Sequence, residues 1–294
     1  IDAKIINGDE YTIRMRIPID GDISFKDLVY GKINTKCSEL DDFIIARSDG
    51  SPTYNLTVVV DDNDMNISHV IRGEDHISNT PKQMLIYKAL GWTIPKFGHL
   101  PMILGSDGKR LSKRHGAKGT SEYKDLGYLP DTLINYLALL GWNPGNDDEI
   151  FDFNYLKENF SLDKVNKKSA VFDNTKLEWV SSQNIFKISA AKLVDIASEF
   201  DPTWCGEGHS LEYLVKVIEL IKDRIKTLSD IKENAFYFFN HPTEYDEAAM
   251  KKCWGENTND ILNSFQEELS QLDDWNSSNI DELIDIFVNA INVG

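Results

Sequence analysis

The chain has 294 residues, of which 41% are hydrophobic and 27% are charged, and its formal net charge is −17. This length and apolar content predict two or more domains with buried cores, and no apolar run approaches the ~20 residues of a membrane-spanning helix. The acidity disfavours general binding to nucleic acid, because phosphate contact is driven by cationic charge, although a local basic face remains compatible with a specific partner.

The three cysteines, Cys37, Cys205 and Cys253, lie far apart and form no CxxC pair. A disulfide framework and a zinc knuckle are therefore disfavoured, and we expect reduced thiols in a cytoplasmic protein. The first residues show no basic leader followed by an apolar core, so no secretory signal is predicted. The chain starts with Ile1 rather than Met, which is typical of a fragment.

Short alternating runs dominate the first part of the chain. Residues 11–18 and 23–33 alternate apolar and polar side chains, which predicts antiparallel strands. Further strands are predicted at residues 44–47 and 55–60. The intervening residues 48–52 have the composition of a turn.

The periodicity changes near residue 78. Thr80 is the predicted N-cap of a helix with Pro81 at its first position, and Gly91 is predicted to end that helix. Residues 97–104 have the pattern of a strand. The strand–helix–strand order predicts a parallel α/β layer.

Past residue 130, nearly every periodic segment predicts a helix. The predicted helices span residues 132–140, 152–160, 190–199, 211–228, 231–239, 246–254, 260–272 and 280–291.

A basic segment at residues 108–116 contains Lys109, Arg110, Lys113 and Arg114. The glycines in and around it favour a mobile loop over a helix. Such a cationic loop, with a serine among its cations, is suited to closing over phosphates. A solvated basic loop or a generic nucleic-acid patch is the alternative interpretation.

Three blocks precede this loop. Residues 49–56 read Asp-Gly-Ser-Pro-Thr-Tyr-Asn-Leu, residues 58–62 read Val-Val-Val-Asp-Asp, and residues 69–76 read His-Val-Ile-Arg-Gly-Glu-Asp-His. In this order and spacing they resemble the second half of the catalytic domain of class I aminoacyl-tRNA synthetases, and residues 110–114 resemble the KMSKS loop of that class. The similarity is to bacterial glutamyl-tRNA synthetases in particular, and it extends over residues 11–143 and more weakly beyond.

The resemblance implies an α/β plus all-α fold, with half of a Rossmann-type catalytic domain followed by helical tRNA-contacting regions. The implied division is residues 1–50 for the rest of an acceptor-binding insertion, 51–125 for the catalytic half, 126–188 for a stem-contact region and 189–294 for an anticodon-binding region. The HIGH signature of the class is not found in the sequence, whose first histidine is His69. We therefore expect a piece truncated at both ends that does not activate glutamate alone.

For ATP, the resemblance assigns the catalytic role to Lys113, which meets the negative charge that grows on the α-phosphate during activation. Arg110 supports this contact, and Leu111 and Ser112 belong to the same ATP-binding loop. Arg110 replaces the usual first lysine of the motif, and a planar guanidinium is not equivalent to an ammonium. A surface role for Lys113 is the alternative.

For glutamate, the resemblance makes Arg72 the clamp of the side-chain carboxylate, with Tyr54 and Val58 beside it. Arg72 follows a short apolar strand, and ligands bind beyond the carboxyl ends of such strands. The alternatives are an ion pair of Arg72 with Glu74 or Asp75, and a core position for Tyr54.

Glu74 and His76 are implied to hold or shape the ATP ribose pocket, although His76 could equally be a turn histidine. A metal site in residues 74–76 is disfavoured, because no partner pair at ligand spacing follows. Residues 61–64 lack the glycine and glutamate of a calcium loop and are predicted to be a polar turn. No metal ligands are therefore assigned.

The implied function is ATP-dependent activation of L-glutamate and its transfer to the 3′ end of tRNA-Glu. ATP and Mg²⁺ are the implied cofactors, and the protein is expected to be a cytoplasmic monomer without membrane contact. The alternatives are a non-catalytic tRNA-binding or assembly module, a glutamyl-queuosine tRNA synthetase, and a glutaminyl-tRNA synthetase. The helical pattern of residues 151–294 disfavours the last two.

Overall fold

A computed structural model of the protein describes residues 10–112 and 118–291. Its first strands are β1 (Ile13–Arg14), β2 (Asp22–Asp27), β3 (Gly31–Lys36) and β4 (Ile44–Ala46). β1 pairs with β4 and β2 with β3, both antiparallel. The antiparallel strands predicted before residue 47 are thus confirmed, although only two residues of the predicted strand 11–18 are paired.

The segment predicted as a strand at residues 55–60 is instead helical, so that prediction is wrong. It lies in α1 (Tyr54–Asp64), which also takes in the predicted turn at 61–64. β-Branched valines favour strands, but Val59 is only 1% exposed and packs against Ile86 and Tyr87 of the next helix. Burial of that apolar face outweighs the small difference in intrinsic propensity.

The next elements are β5 (His69–Gly73), α2 (Thr80–Leu90) and β6 (Lys96–Leu100). β5 and β6 are parallel, with Arg72 opposite His99, and α2 connects them. The predicted parallel α/β layer is therefore confirmed. The N-cap is Asn79 rather than the predicted Thr80, and Gly91 ends the helix with φ of 70°, as predicted.

The single strand predicted at residues 97–104 is broken into β6 and β7 (Ile103–Leu104), and β7 pairs in parallel with β8 (Ala170–Val171). The break lies at Pro101, which has no N–H to donate. The next N–H, of Met102, donates instead to the Glu74 carboxylate at 2.9 Å.

The β2–β3 ribbon docks against β6. The Leu28 N–H donates to the Phe97 carbonyl at 2.8 Å, and Phe97 packs in a buried cluster with Ile23 and Met84. This docking places the end of β2 beside the middle of β6, which brings together polar residues far apart in the sequence.

Helices form the remainder. They are α3 (Thr120–Asp125), α4 (Pro130–Leu139), α5 (Phe153–Asn159), α6 (Asn174–Lys187), α7 (Ala190–Phe200), α8 (Leu211–Ile221), α9 (Ser229–Phe239), α10 (Glu247–Cys253), α11 (Thr258–Ser270) and α12 (Ser277–Ile291). Every helix predicted after residue 130 is found, but the one predicted at 211–228 ends at Ile221. α3 and α6 were not predicted, although Asp173 caps α6 by accepting two backbone N–H groups.

Two compact units make up the chain, and the boundary between Phe238 and Phe239 falls within α9. The predicted boundaries at residues 50, 125 and 188 remain predictions. None of the helices in the described part of the chain is long and apolar enough to cross a membrane.

Inside the first unit, Gly127 makes a contact of backbone against backbone. Its carbonyl accepts the Leu228 N–H at 2.9 Å. A Cβ at position 127 would lie 2.6 Å from the Ser229 nitrogen, and the φ of 82° is in the region that glycine favours.

Candidate active site

Arg72 lies one residue before the end of β5, and its side chain is half-buried. Its Nε donates to Nε2 of His99 at 3.3 Å, and its Nη2 donates to Oγ1 of Thr80 at 2.9 Å and Oε1 of Gln83 at 2.8 Å. The Phe97 ring centroid lies 5.6 Å from the guanidinium carbon. None of these three hydrogen bonds uses Nη1, and Tyr54 is a further hydrogen-bond partner of Arg72. An Nη1 N–H beside Tyr54 can donate to a carboxylate oxygen.

The groups that hold Arg72 are themselves almost fully buried. Thr80 and His99 are 0% exposed and Gln83 is 2% exposed. Burial lowers the pKa of Arg72, while the neighbouring Tyr54 phenol and Asp62 carboxylate raise it. Since a guanidinium is charged at any physiological pH, this end of the site presents a fixed cation.

Asp27 and His99, which the sequence analysis did not single out, form a buried pair. Nδ1 of His99 lies 2.7 Å from Oδ2 of Asp27, and both side chains are 0% exposed. Oδ1 of Asp27 accepts backbone N–H groups from Val29, Tyr30 and His99 at 2.9, 2.8 and 3.3 Å. Burial alone would raise the pKa of Asp27, but the hydrogen bonds from Tyr30, His99 and Val29 outweigh it and lower the pKa, so Asp27 is ionised.

A sequence signal for Asp27 existed. Side chains alternate across a strand, so Asp27 shares a face of β2 with the apolar residues Ile23 and Phe25. A carboxylate on an apolar strand face requires a buried partner. Nothing in the local pattern shows that His99 is that partner.

Tyr54, the first residue of α1, is 50% exposed, so the alternative of a core tyrosine is wrong. Its hydroxyl lies 3.3 Å from Nδ1 of His76, which also lies 3.3 Å from the side-chain nitrogen of Asn79. Tyr54 is also close enough to raise the pKa of Arg72. The structure therefore brings together three predicted site residues, Tyr54, Arg72 and His76.

Arg110 joins this group through Asp75. Its Nη1 lies 3.1 Å from Oδ2 of Asp75, with side chains 68% and 36% exposed, and the same oxygen lies 4.0 Å from Nε2 of His76. The Leu111 N–H donates to the Ile103 carbonyl at 2.9 Å, and this hydrogen bond ties the basic segment to β7. Ser112 follows as a partly buried residue. Lys113, the predicted catalytic lysine, lies outside the described residues.

Glu74, an alternative ion-pair partner considered for Arg72, has other partners. Its carboxylate accepts hydrogen bonds from the Tyr30 hydroxyl at 2.5 Å, the Met102 N–H at 2.9 Å and the Ser169 hydroxyl at 3.5 Å. Burial and the adjacent Glu74 raise the pKa of the Tyr30 phenol above its ordinary value. These contacts tie three segments together, and a contact of Glu74 with ribose stays a prediction.

Val58 is partly buried and packs against the cluster of Val59, Ile86 and Tyr87. Its predicted contact with glutamate also stays a prediction. Among residues 10–112 and 118–291, no group of three or more His, Cys, Asp or Glu side chains could hold a metal ion.

Comparison with known families adds to this geometry. Residues 1–179 match the family described as tRNA synthetases class I (E and Q), catalytic domain. The chain belongs to this synthetase family. Residues 190–294 match an anticodon binding domain. The predicted fold class, a Rossmann-type catalytic part followed by a helical anticodon-binding part, is confirmed.

Several relatives of the chain carry functional names. Glutamate–tRNA ligase 2 of Halorhodospira halophila is 42% identical over 291 residues, covering 97% of this chain and 60% of the relative. Glutamate–tRNA ligase 1 of Coxiella burnetii is 45% identical over 281 residues, covering 95% and 59%. The crystal structure of a glutamate tRNA ligase from Elizabethkingia meningosepticum in complex with its amino acid is 32% identical, with a TM-score of 0.86, covering 100% and 62%. The chain thus spans about 60% of the length of these relatives.

Proposed function

We propose that this chain is the part of a glutamate–tRNA ligase that grips the glutamate side chain and closes over ATP. The reaction is attack of the glutamate α-carboxylate on the α-phosphorus of ATP, with release of pyrophosphate. Transfer of the glutamyl group to the 3′ end of tRNA-Glu follows. The observation that carries this proposal is the half-buried Arg72, held by neutral side chains beside the exposed hydroxyl of Tyr54.

Arg72 selects the acid over its amide. An Nη1 N–H of the guanidinium donates to the side-chain carboxylate, and the Tyr54 hydroxyl donates a further hydrogen bond to it. Glutamine offers one carbonyl oxygen and an NH₂ group, so a donor would face a donor and the cation would remain unmatched. Leaving a partly buried charge without its partner strongly disfavours the wrong substrate.

The other end of the site holds ATP. Arg110, Ser112 and Lys113 contact the phosphates, with Mg²⁺ bound to them, and Lys113 meets the charge that develops on the α-phosphate. Asp75 keeps Arg110 at the edge of the site through one exposed ion pair, which a phosphate can replace. We assign His76 and Glu74 to the side of the ribose, and Leu111 to the same loop.

The helical remainder supports a tRNA partner. Residues 190–294 match an anticodon binding domain, and the regular elements that the structure describes in this part, α7 to α12, are all helices. This arrangement supports a glutamyl enzyme over the glutaminyl and glutamyl-queuosine alternatives. We further propose that the ligase acts in the cytoplasm as a monomer.

The test is pyrophosphate–ATP exchange by the protein expressed from the complete reading frame that encodes these residues. Glutamate and glutamine are compared in the parent, in Arg72→Ala and in Arg224→Ala, a matched control at an exposed position outside the site. Loss of a charged hydrogen bond worth about 1.5–3 kcal/mol lowers the preference for glutamate by about 10- to 100-fold. Intact discrimination in Arg72→Ala would make that arginine structural. A parent inactive with glutamate would favour the non-catalytic module.

A further inference from the structure

The proton positions around His99 follow from its three side-chain partners, which are Asp27 at Nδ1, and Arg72 and the Thr80 hydroxyl, 3.2 Å away, at Nε2. Arg72 has only donor groups, so the 3.3 Å contact from its Nε is a hydrogen bond only if Nε2 of His99 is unprotonated. The proton of the neutral imidazole is then on Nδ1, which faces the ionised Asp27 at 2.7 Å. The Thr80 hydroxyl can donate or accept and fits either tautomer, so Arg72 and Asp27 decide: the tautomer protonated at Nδ1 satisfies both of them, and the other satisfies neither.

We propose that Asp27 and His99 are positioning residues that fix the direction of the Arg72 guanidinium. Asp27 selects the His99 tautomer protonated at Nδ1, and Nε2 of that tautomer accepts the Nε–H of Arg72. Glutamate specificity is thereby controlled by two side chains that never touch the substrate. This proposal rests on the proposed function of Arg72 as the clamp for the glutamate carboxylate.

The surroundings leave this arrangement little freedom. Three backbone N–H groups hold Oδ1 of Asp27, so its carboxylate cannot rotate without losing them. The rings of Phe25 and Phe97 each lie 6.4 Å from the His99 ring. Buried polar groups are costly unless they are fully satisfied, and a fully satisfied set locks the guanidinium in one orientation.

Asp27→Asn is the sharpest variant, because it changes almost no volume. The amide oxygen takes the place of Oδ1 opposite the three backbone donors, so the NH₂ group faces Nδ1 of His99. Nδ1 must then accept, the proton moves to Nε2, and a donor meets the Nε–H of Arg72. Displacement of the clamp raises the glutamate KM about 10- to 100-fold, leaves the ATP KM unchanged and weakens discrimination against glutamine.

His99→Gln supplies the rescue. A glutamine carbonyl oxygen can occupy the place of Nε2 and accept from Arg72 without help from Asp27. In the His99→Gln background, Asp27→Asn therefore has little further effect on the glutamate KM. Such non-additive effects on the glutamate KM would show that Asp27 acts through His99, whereas two independent structural roles would give additive effects.

The pH profile gives a second readout. Protonated His99 carries Nε2–H against Arg72, so glutamate KM rises as pH falls through the pKa of His99. Burial lowers that pKa, the Asp27 carboxylate raises it, and the charges of Arg72 and His76 lower it further, with a net decrease. As the pH falls, kcat/KM for glutamate is expected to decrease at a pH below the ordinary pKa range of histidine. This decrease is expected to be absent from His99→Gln.

The experiment measures glutamate and glutamine activation by the complete protein. It compares the parent, Asp27→Asn, His99→Gln, the double variant, Arg72→Ala, and Asp173→Asn as a control that weakens a helix cap elsewhere. The proposal is supported if Asp27→Asn raises the glutamate KM, Asp173→Asn does not, and Asp27→Asn causes no further rise in the His99→Gln background. An unchanged glutamate KM in Asp27→Asn, or a change equal to that of Asp173→Asn, overturns it.

Two further outcomes separate the two proposals. If Arg72→Ala keeps its preference for glutamate, the proposed function of Arg72 fails, whatever Asp27 does. If Asp27→Asn does not fold, the parent and His99→Gln are compared alone. An acid limb that persists in His99→Gln then overturns the positioning role, and its loss supports it.

Discussion

Arg72 and Arg110 are two arginines of one site with opposite surroundings. Arg72 donates three hydrogen bonds to side chains that are at most 2% exposed. Arg110 is 68% exposed and makes one ion pair with Asp75. The first cation is fixed in advance of its ligand, whereas the second is held by a contact that solvent weakens.

The difference indicates a division of labour within the site. Discrimination between an acid and its amide depends on atoms placed within a fraction of an ångström, which favours the fixed cation. Closure over phosphates requires movement, which favours the exposed one. The predictions below test each end of this comparison.

The largest effect is expected at the end of the site proposed to hold ATP. Lys113→Ala in the complete protein is expected to lower the rate of adenylate formation by ~100-fold or more, because we propose that the Lys113 charge stabilises the transition state. Glutamate affinity is unchanged, since the fixed end is intact. Single-turnover adenylate formation measures this rate. An unchanged rate together with weaker glutamate binding would contradict the catalytic role proposed for Lys113.

At the fixed end, Gln83→Leu removes two hydrogen bonds. Oε1 of Gln83 accepts from Nη2 of Arg72, and Nε2 of Gln83 donates to Oδ1 of Asn55 at 3.1 Å. Since buried donors without partners are costly, the free energy of unfolding falls by about 1–3 kcal/mol. The glutamate KM rises as well. Denaturant midpoints and steady-state kinetics check this, with Gln271→Leu as an exposed control. Equal effects of both changes would contradict it.

Stability should also depend on pH in two separate windows. The pKa of His99 is lowered from 6.5, so the unfolded chain binds more protons below pH 6.5 and stability declines as pH falls through the folded value. The pKa of Asp27 is lowered from 3.8, so its contribution is complete above pH 3.8 and lost only in stronger acid. Thermal unfolding across pH 3–8 measures both windows, and His99→Gln should lack the upper one.

The smallest effect is expected for the exposed ion pair. Arg110→Ala changes the free energy of unfolding by less than about 1 kcal/mol, because exposed pairs contribute little. It raises the ATP KM and leaves the glutamate KM alone. Chemical denaturation and substrate titrations test this, and a large stability loss would show that Arg110 is structural.

Much of this organisation follows from local pattern. The antiparallel ribbons, the parallel β5–α2–β6 unit and the helices beyond residue 130 other than α6 were predicted from periodicity and end signals. α1 was not, because the preference of its valines for strands is overcome by burial of Val59 against α2. A local rule has no access to that tertiary contact.

The site was predictable only in part. Motif order identified Arg72, Tyr54, His76 and Arg110, and the structure places them in one connected group. Asp27 and His99 were missed because 72 residues separate them, and only the docking of β2 on β6 makes them neighbours.

Gly127 has a consequence for how movements pass along the chain. Most packed contacts absorb a displacement by rotating a side chain, but here main chain meets main chain and no rotamer is available. The backbone of residue 127 is therefore expected to move together with the backbone of residues 228–229. Position 127 lies in the part matched to the catalytic family and residues 228–229 in the part matched to the anticodon binding domain. An alanine there would act as a spacer, because its methyl group needs room that exists only if the two segments separate.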